Sequence, residues 1–348
     1  MLRDRIEGKW IDAFAHTFRL CEVQPGEIVA ILSETQSRQI NVHLAELALQ
    51  AIGARPFHIV MPTPRLEAPV AVRSTGSSHA IQQLEPAVAA LSSVTFIVDC
   101  TVEGVMHAPE TPGILKSGAR ILYISNEHPE LLERLKPDAA LFPKIQRARE
   151  MLSEADEMRV TSVAGSDLTI SLKGIRVGGN FGVARQPGQL ATWPGGTCSS
   201  FPAPHSTNGV LVLAEGDVNL TFKRYLESPV RLVIEDDFVT RVEGDSFDGD
   251  LMRSYFEAWN DPNAYGVSHI GWGMNPAARW DSLIMYDKGD VNGTELRAYA
   301  GNFLFSTGAN PSAGRHTLGH YDLPVGKCTI TLDGVVAVKD GQLQGELA

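Results

Sequence analysis

The sequence has 348 residues, of which 43% are hydrophobic and 20% charged, so it can bury a large core and does not have a disordered composition. Its net charge of −11 argues against a nucleic-acid partner, because binding phosphates needs a basic surface. It lacks both an apolar run of about 18 residues, as a membrane span needs, and an apolar secretory signal, and its four cysteines are widely spaced. We therefore expect a cytoplasmic protein with free thiols, no membrane contact and two domains.

The first part of the chain alternates predicted helices and strands. Apolar residues at helical spacing predict an amphipathic first helix within residues 1–20. Short apolar runs predict strands at 27–32, 57–61, 94–99 and 120–125. The remaining segments predict helices at 39–52, 78–91, 129–135 and 143–155. Continuous apolar strands that alternate with helices are typical of a parallel sheet covered on both faces.

After about residue 157 the pattern changes to short β-rich runs separated by turn residues. These runs lie at 168–172, 210–213, 230–234, 238–242, 328–332 and 335–338, and one helix is predicted at 250–259. The sequence therefore predicts an α/β protein with two domains. Residues 1–157 are expected to form a parallel-sheet α/β N-terminal domain, and residues 158–348 a mixed, mainly antiparallel β-rich C-terminal domain.

Several common catalytic motifs are absent from the sequence. The loop after the first strand has no G-x-G-x-x-G, and there is no Walker lysine loop, no G-x-S-x-G and no H-E-x-x-H. The sequence therefore gives no motif evidence for dinucleotide binding, for P-loop nucleotide binding or for a hydrolase with a nucleophile elbow.

The segment from 265 to 322 carries the residues best suited to chemistry. His320 and Asp322 are two residues apart, so in an extended strand both side chains face the same side. His269, among glycines and Trp272, is the candidate for a third ligand. Two imidazoles and one carboxylate suit a non-heme Fe(II) centre, and the same set suits a catalytic zinc. His316 is expected to stay outside the ligand set, since a fourth protein ligand would crowd out substrate.

The segments GVSHIGWG, GNFLFSTG and HYDLP resemble the 2,5-dihydroxypyridine 5,6-dioxygenases of bacterial nicotinate and picolinate breakdown. The likeness is strongest from 247 to 333 and weaker over the rest of the chain. It implies a fold shared with the M29-type metallo-aminopeptidases, a homo-oligomer, and an Fe(II) cofactor whose ligands are His269, His320 and Asp322.

The resemblance also implies substrate-contacting residues. His107 corresponds to the family's base toward the substrate hydroxyl, and an imidazole with a pKa near ~6.5 suits that role. Arg297 and Met106 correspond to substrate contacts. The chain departs from the family within 178–194, where Asn180 and Thr192 replace an acidic residue and a histidine. The implied substrate is therefore 2,5-dihydroxypyridine or a close hydroxylated N-heterocycle.

The implied reaction is extradiol-like. The 5-hydroxyl gives its proton to His107, O₂ is the second substrate, and cleavage between C5 and C6 yields an N-formyl amic acid. Two other classes remain open from the residues alone. One is a zinc-dependent, aminopeptidase-like hydrolase, which is disfavoured because a two-metal site needs more carboxylates. The other is a non-catalytic small-molecule binder, which is disfavoured because all three ligand positions are filled.

Overall fold

A computed structural model of the protein describes residues 5–65, 67–68 and 78–348. In the first part of the chain, helices and strands alternate as the apolar pattern predicts. The helices are α1 Gly8–Leu20, α2 Gln39–Ala51, α3 Glu85–Ser92, α4 Thr111–Lys116, α5 Pro129–Arg134 and α6 Phe142–Glu154. The strands are β1 Ile28–Glu34, β2 Arg55–Met61, β3 Phe96–Asp99 and β4 Arg120–Ile124.

These strands form a parallel sheet with apolar residues buried on both faces. Val29 and Ile31 of β1 pack with α1 and α2 on one face, while Ala30 and Leu32 pack on the opposite face. Burial on both faces explains why the strands are continuous apolar runs rather than alternating ones. The predicted doubly covered parallel sheet is confirmed.

Two helices differ from the prediction. The helix predicted at 78–91 begins only at Glu85, with Pro86 in its first turn, and residues 80–83 form turns. Proline is tolerated in a first turn, where its missing N–H has no partner in any case, but it disrupts a helix interior. Helix α4 was not predicted. For the predicted first helix, residues 1–4 lie outside the described residues.

The second part of the chain is dominated by strands. Its helices are α7 Phe247–Trp259, α8 Ser282–Met285 and α9 Thr294–Ala298. Its strands are β5 Glu157–Ser162, β6 Asp167–Ser171, β7 Arg176–Asn180, β8 Leu190–Trp193, β9 Thr197–Phe201, β10 Thr207–Leu213, β11 Val218–Asn219, β12 Arg224–Tyr225, β13 Val230–Glu235, β14 Phe238–Glu243, β15 Val267–Gly273, β16 Phe303–Asn310, β17 Arg315–Val325, β18 Cys328–Leu332, β19 Val335–Lys339 and β20 Gln342–Leu343.

Most of these strands belong to two antiparallel sheets that share one apolar core. One sheet has the order β14-β13-β10-β6-β5-β18-β19-β20, and the other has the order β17-β16-β15-β9-β7. Their buried side chains form one cluster, into which α6 and α7 also pack. Residues of the smaller sheet, of β4 and of the loop after β3 line one cavity.

One strand crosses the predicted domain boundary at residue 157. β8 pairs in parallel with β4, so the parallel sheet has the order β2-β1-β3-β4-β8. The chain therefore returns to the first sheet before it completes the second. A division into 1–157 and 158–348 remains a proposal, and it leaves β8 on the far side of the boundary from its sheet.

Two further features bear on the sequence analysis: the state of the cysteines and the length of the helices. All four cysteines are free and buried, as their spacing predicted. In the described part of the chain, none of the helices has both the length and the apolar character needed to cross a bilayer.

Candidate metal centre and cavity

Two strands of the smaller antiparallel sheet carry the predicted metal ligands, and a third strand separates them. His269 lies on β15, His320 and Asp322 lie on β17, and β16 runs between them. Outer strands of such a trio are about 10 Å apart, since each spacing is about 4.8 Å, so their side chains must meet above the middle strand. Ser306 and Gly308 of β16 pair with Asp322 and His320, and these small residues leave the necessary room.

His269 occupies an irregular place in its strand. The pairing of β15 with β16 shifts register between Val267 and Ile270, which is a β-bulge. Ser306 closes this bulge, because its Oγ accepts a hydrogen bond from the His269 N–H at 3.0 Å and donates to the His269 carbonyl at 3.2 Å. Bulges turn a side chain away from the regular alternation. The bulge therefore aims the His269 ring at the ligands on β17.

The three side chains converge on one point. Nε2 of His269 lies 3.3 Å from Oδ1 of Asp322, and Nε2 of His320 lies 3.5 Å from Oδ2. One nitrogen or oxygen atom from each residue lies within 4.8 Å of the others. Although Nε2 of His269 is this close, Oδ1 of Asp322 accepts no well-aligned hydrogen bond in the described structure, and the Nδ1 atoms of both histidines are buried without a partner. An unpartnered buried carboxylate oxygen beside two imidazoles fits a bound divalent cation.

The charge states of these groups suit metal binding. Burial opposes ionisation of Asp322, but Arg297, His320 and His269 outweigh it and hold the pKa of the carboxyl well below its usual 3.8. Burial lowers the pKa of His269 below its usual 6.5. At neutral pH the carboxylate is therefore ionised and the His269 imidazole is neutral, which are the forms that bind metal.

Arg297 lies beside the metal ligands. Its Nη1 donates to Oδ2 of Asp322 at 2.7 Å, and its Nη2 donates to Oγ1 of Thr294, also at 2.7 Å. The sequence predicted Arg297 as a substrate contact. The structure places it at the cavity and also makes it the direct partner of Asp322, which the sequence did not predict.

The loop after β3 delivers His107 to the same place. The carboxylate of Asp99 organises this loop by accepting the backbone N–H groups of Thr101 at 2.9 Å and Val105 at 2.8 Å. The His107 ring centroid then lies 5.0 Å from that of His320. The ring of Phe201 makes T-shaped contacts with the rings of His107 and His269, at centroid distances of 6.4 Å and 5.8 Å. The predicted base and the predicted ligands therefore share one site.

The basicity of His107 differs from the sequence expectation of about 6.5. Burial, together with the nearby His320 and His269, lowers the pKa of His107 to about 3. Its imidazole is consequently neutral throughout the physiological range, with a ring nitrogen able to accept a proton. It is a weaker base in this protein than a free imidazole.

All predicted site residues line one cavity of about 170 Å³. They are His107, Met106, Asn180, Thr192, Arg297 and the ligands His269, His320 and Asp322. Sequence reasoning missed other lining residues, among them Glu103, Tyr123, Phe201, Asn292 and Thr294. Tyr123 had a usable signal, since it lies near the carboxyl end of a parallel strand, where α/β proteins bind ligands.

Asn180 and Thr192 lie in the cavity wall but differ in their contacts. The Asn180 Oδ1 accepts the backbone N–H of Gly182 at 3.1 Å and of Thr192 at 3.0 Å, and its Nδ2 donates to the Pro194 carbonyl at 3.2 Å. The amide thus fastens the end of β7 to the end of β8. Thr192 is only 7% exposed and borders the cavity.

Two further histidines lie away from the cavity. His316 is exposed near the start of β17, outside the ligand cluster as expected, although it lies in a strand rather than a loop. His205 is largely exposed, and its Nδ1 lies 2.7 Å from Asp236.

Comparisons with known proteins agree with the geometry. A family model described as 2,5-dihydroxypyridine 5,6-dioxygenase matches residues 9–345. A curated 2,5-dihydroxypyridine 5,6-dioxygenase from Pseudomonas putida is 34% identical over 336 residues, which cover 95% of this chain and 94% of that protein.

Solved structures show the same likeness. The structure of 2,5-dihydroxypyridine dioxygenase from Pseudomonas putida superposes with a TM-score of 0.92 at 33% identity, covering 97% of this chain and 98% of that one. Wild-type AmpT from Thermus thermophilus superposes with a TM-score of 0.65 over 97% of this chain and 99% of that one. At 12% identity, the second likeness shows the fold alone.

Proposed function

The chain belongs to the 2,5-dihydroxypyridine 5,6-dioxygenase family, as its motifs predicted, and we propose that it opens the ring of 2,5-dihydroxypyridine, or of a close hydroxylated N-heterocycle, between C5 and C6. The product is an N-formyl amic acid, and O₂ is the second substrate. The observation that carries this proposal is the convergence of two imidazoles and one carboxylate beside His107 in one cavity.

Family membership favours iron as the cofactor, since the ligand set by itself suits zinc as well. His269, His320 and Asp322 would hold one Fe(II), which supplies the one-electron chemistry that a ring with paired electrons needs in order to react with O₂. Three protein ligands leave positions open for both reactants. The protein residues around the cavity then bind, orient and deprotonate the substrate.

We propose that His107 takes the proton of the 5-hydroxyl. Its imidazole is neutral at working pH, and its ring lies 5.0 Å from that of His320. A substrate hydroxyl directed at the metal ligands is therefore within reach of a proton acceptor. The low pKa of His107 means that it accepts this proton only as the hydroxyl becomes more acidic on binding, and it then holds the proton inside the cavity.

Other residues orient the ring. Phe201 packs against the rings of His107 and His269 and gives the cavity an aromatic wall. Arg297 has five N–H donors, of which the contacts to Asp322 and Thr294 use one each, so others remain for a substrate oxygen. Fixed donors and a flat wall place a planar ring in one orientation, which is the main contribution a protein makes to such a reaction.

Thr192 is the residue that we propose to discriminate among ring substituents. It borders the cavity, whereas the amide of Asn180 is occupied by three backbone groups. Met106 lies at the cavity mouth and is 42% exposed. We propose that Met106 covers the bound ring and that Asn180 acts by holding Thr192 and Pro194 in place.

The wider setting follows from family membership. We propose that the enzyme works in the cytoplasm, in nicotinate- or picolinate-type ring breakdown, as a homo-oligomer with no nucleic-acid or membrane partner. The net charge of −11 supports the absence of a nucleic-acid partner.

A zinc-dependent hydrolase is the rival for the same ligands. A two-metal hydrolytic site needs additional carboxylates between its ions. Among the described residues lining the cavity, the carboxylates are Glu103 and Asp322. The search for metal-binding clusters in the described residues gives a single group of three. These observations favour a single metal ion over a two-metal hydrolytic site.

Anaerobic purification followed by metal analysis and O₂ uptake tests the proposal. We expect about one iron per chain and O₂ consumption that depends on 2,5-dihydroxypyridine, with His269→Ala protein as the control that lacks both. Zinc with amide hydrolysis would instead identify a hydrolase. Neither metal nor turnover would identify a non-catalytic binder.

A further inference from the structure

Residues 292–294, which lead into α9, are tied to the end of the parallel sheet. The buried carboxylate of Glu127, three residues beyond β4, accepts the backbone N–H groups of Asn292 at 2.6 Å, Gly293 at 2.9 Å and Thr294 at 2.8 Å. A carboxylate that accepts three backbone N–H groups fixes the start of α9. The helix that carries Arg297 is therefore positioned by the first half of the chain.

The side chain of Thr294 continues this connection toward the metal ligands. Its Oγ1 lies 2.6 Å from Oγ of Ser125, which immediately follows β4, and accepts a hydrogen bond of 2.7 Å from Nη2 of Arg297. Ser125 and Thr294 are 0% and 4% exposed, so water does not easily replace either contact. One buried hydroxyl thus joins the parallel sheet to the guanidinium.

The direction of these bonds is fixed by chemistry. A guanidinium has donors but no acceptor, so its partners must be oxygens that accept. Thr294 and Asp322 supply those oxygens, one for each terminal nitrogen of Arg297. Without the Thr294 hydroxyl, Arg297 keeps one of the two anchors and gains rotational freedom about Asp322.

We propose that Thr294 is a positioning residue for the metal centre: its hydroxyl holds Arg297 in the orientation that fixes the carboxylate of Asp322. Through Ser125, it also sets the metal-binding strands relative to the sheet whose loop carries His107. The assignment rests on the proposed function only in that this site holds a metal ion.

The isosteric variant Thr294→Val tests the proposal. Contacts that orient a metal ligand typically change metal affinity by about 10–100-fold, so we expect the lower end, about 10-fold weaker Fe(II) binding in anaerobic chelator competition. Thr294→Ser keeps the hydroxyl and should bind Fe(II) within about twofold of wild type. Thr17→Val removes a buried hydroxyl that donates to the Ala13 carbonyl within α1 and does not line the described cavity, so it should leave Fe(II) affinity unchanged.

A second variant and a second readout keep the test decisive if Thr294→Val does not fold. Ser125→Ala removes the other end of the connection without changing a residue of the cavity lining in the described structure, and we expect about threefold weaker Fe(II) binding. Crystal structures of these variants report the distance from Nη1 of Arg297 to Oδ2 of Asp322 whether or not iron is bound. We expect it to exceed the 2.7 Å of wild type.

The outcomes separate the two claims. Unchanged Fe(II) affinity and an unchanged Arg297–Asp322 contact in Thr294→Val would overturn the positioning role, even in an active dioxygenase. A thermal stability loss with intact Fe(II) affinity would also overturn it, because that is what a purely structural hydroxyl predicts. A wild-type protein that binds Fe(II) but does not open dihydroxypyridines would overturn the proposed function and leave this assignment standing.

Discussion

The two sides of the cavity are built differently. The predicted metal ligands lie on β15 and β17, which flank β16 in an antiparallel sheet, and strand register and a bulge fix each side chain. The opposite side is built from the carboxyl ends of parallel strands and the loops that follow them: Tyr123 lies on β4, and the loop after β3 carries His107. The first side depends on strand pairing, and the second depends on hydrogen bonds within loops.

This difference suggests a division of labour. Strands hold three ligands to the tolerances that a metal ion requires, since moving one of them means breaking a ladder. Loops change shape and composition at smaller cost, so they are where related enzymes vary in substrate. We therefore expect substitutions on the strand side to remove the metal, and those on the loop side to change turnover or substrate preference while the metal stays.

The largest effect should come from the strand side. Each of three variants removes one of the three proposed protein ligands: His269→Ala, His320→Ala and Asp322→Ala. Loss of a residue that only orients a metal ligand typically lowers metal affinity or activity by about 10–100-fold. Loss of a ligand itself should lower both by more than this. Iron content by elemental analysis, with circular dichroism as the folding control, gives the answer. Stoichiometric iron with full activity in any one variant would remove that residue from the ligand set.

The next largest effect should come from His107. His107→Ala should keep iron but lose about 10²–10⁴-fold in kcat, with part of the activity returning at high pH, where the substrate hydroxyl is already ionised. Because burial holds the pKa of His107 near 3, the imidazole is protonated only below that pH. The pH dependence of kcat/KM between pH 5 and 7 should therefore have the same shape in wild type and in His107→Ala. If kcat/KM falls between pH 7 and 5 in wild type but not in His107→Ala, then His107 titrates in that range.

A smaller effect is expected at Thr192. Thr192→His adds a group that can accept or donate a proton at the cavity edge and should shift relative kcat/KM among 2,5-dihydroxypyridine and carboxylated or methylated analogues by about 2- to 10-fold, the range of one hydrogen bond. Iron content should not change. Asn180→Asp is the matched comparison, because it places an oxygen against the Pro194 carbonyl and should lower stability as well. Identical preference ratios in wild type and Thr192→His would place Thr192 outside substrate recognition.

The smallest effect on activity is expected at Asp217, which anchors the end of β17. Its carboxylate accepts the backbone N–H groups of Gly326 and Ala214, both at 2.7 Å, and burial raises its pKa from 3.8 to about 6. At a pH between these two pKa values, Asp217 is protonated in the folded protein and ionised in the unfolded chain. This contribution to stability is complete below about pH 4 and is lost as pH rises through 6.

The neutral variant Asp217→Asn lacks this titration. The unfolding free energy of wild type relative to the variant should fall by about 2–3 kcal/mol between pH 4 and 7, measured by denaturant titration, while iron affinity at pH 7 stays the same. A pH-independent difference would show that Asp217 titrates normally. A change in iron affinity would show that the strand side is less rigid than its pairing implies.

The sequence predicted the strand side better than the loop side. The separation of His320 from Asp322 and the extended character of their segment were sufficient to place both side chains on one face, and the family motifs supplied His269. The bulge at His269 left no sequence signal, because it arises from pairing with Ser306 on a strand 37 residues away.

Other contacts of the cavity could not be predicted, because local sequence patterns do not contain them. Nothing near Arg297 in the sequence indicates that it pairs with Asp322, and nothing near Asn180 indicates that its amide fastens β7 to β8. The start of α3 was predicted too early, although Pro86 already indicated that the helix begins next to it. The return of β8 to the parallel sheet was missed because its LATW sequence is only four residues long.

The most direct test of the central claim is a single turnover with ¹⁸O₂, using anaerobically prepared iron-loaded protein and 2,5-dihydroxypyridine. Mass spectrometry of the product identifies both the bond that broke and the source of the new oxygen atoms. The account predicts an N-formyl amic acid that carries both atoms of one O₂, one on the new carboxylate and one on the formyl group. A product labelled only from water, or an intact ring carrying a single new hydroxyl, would contradict it.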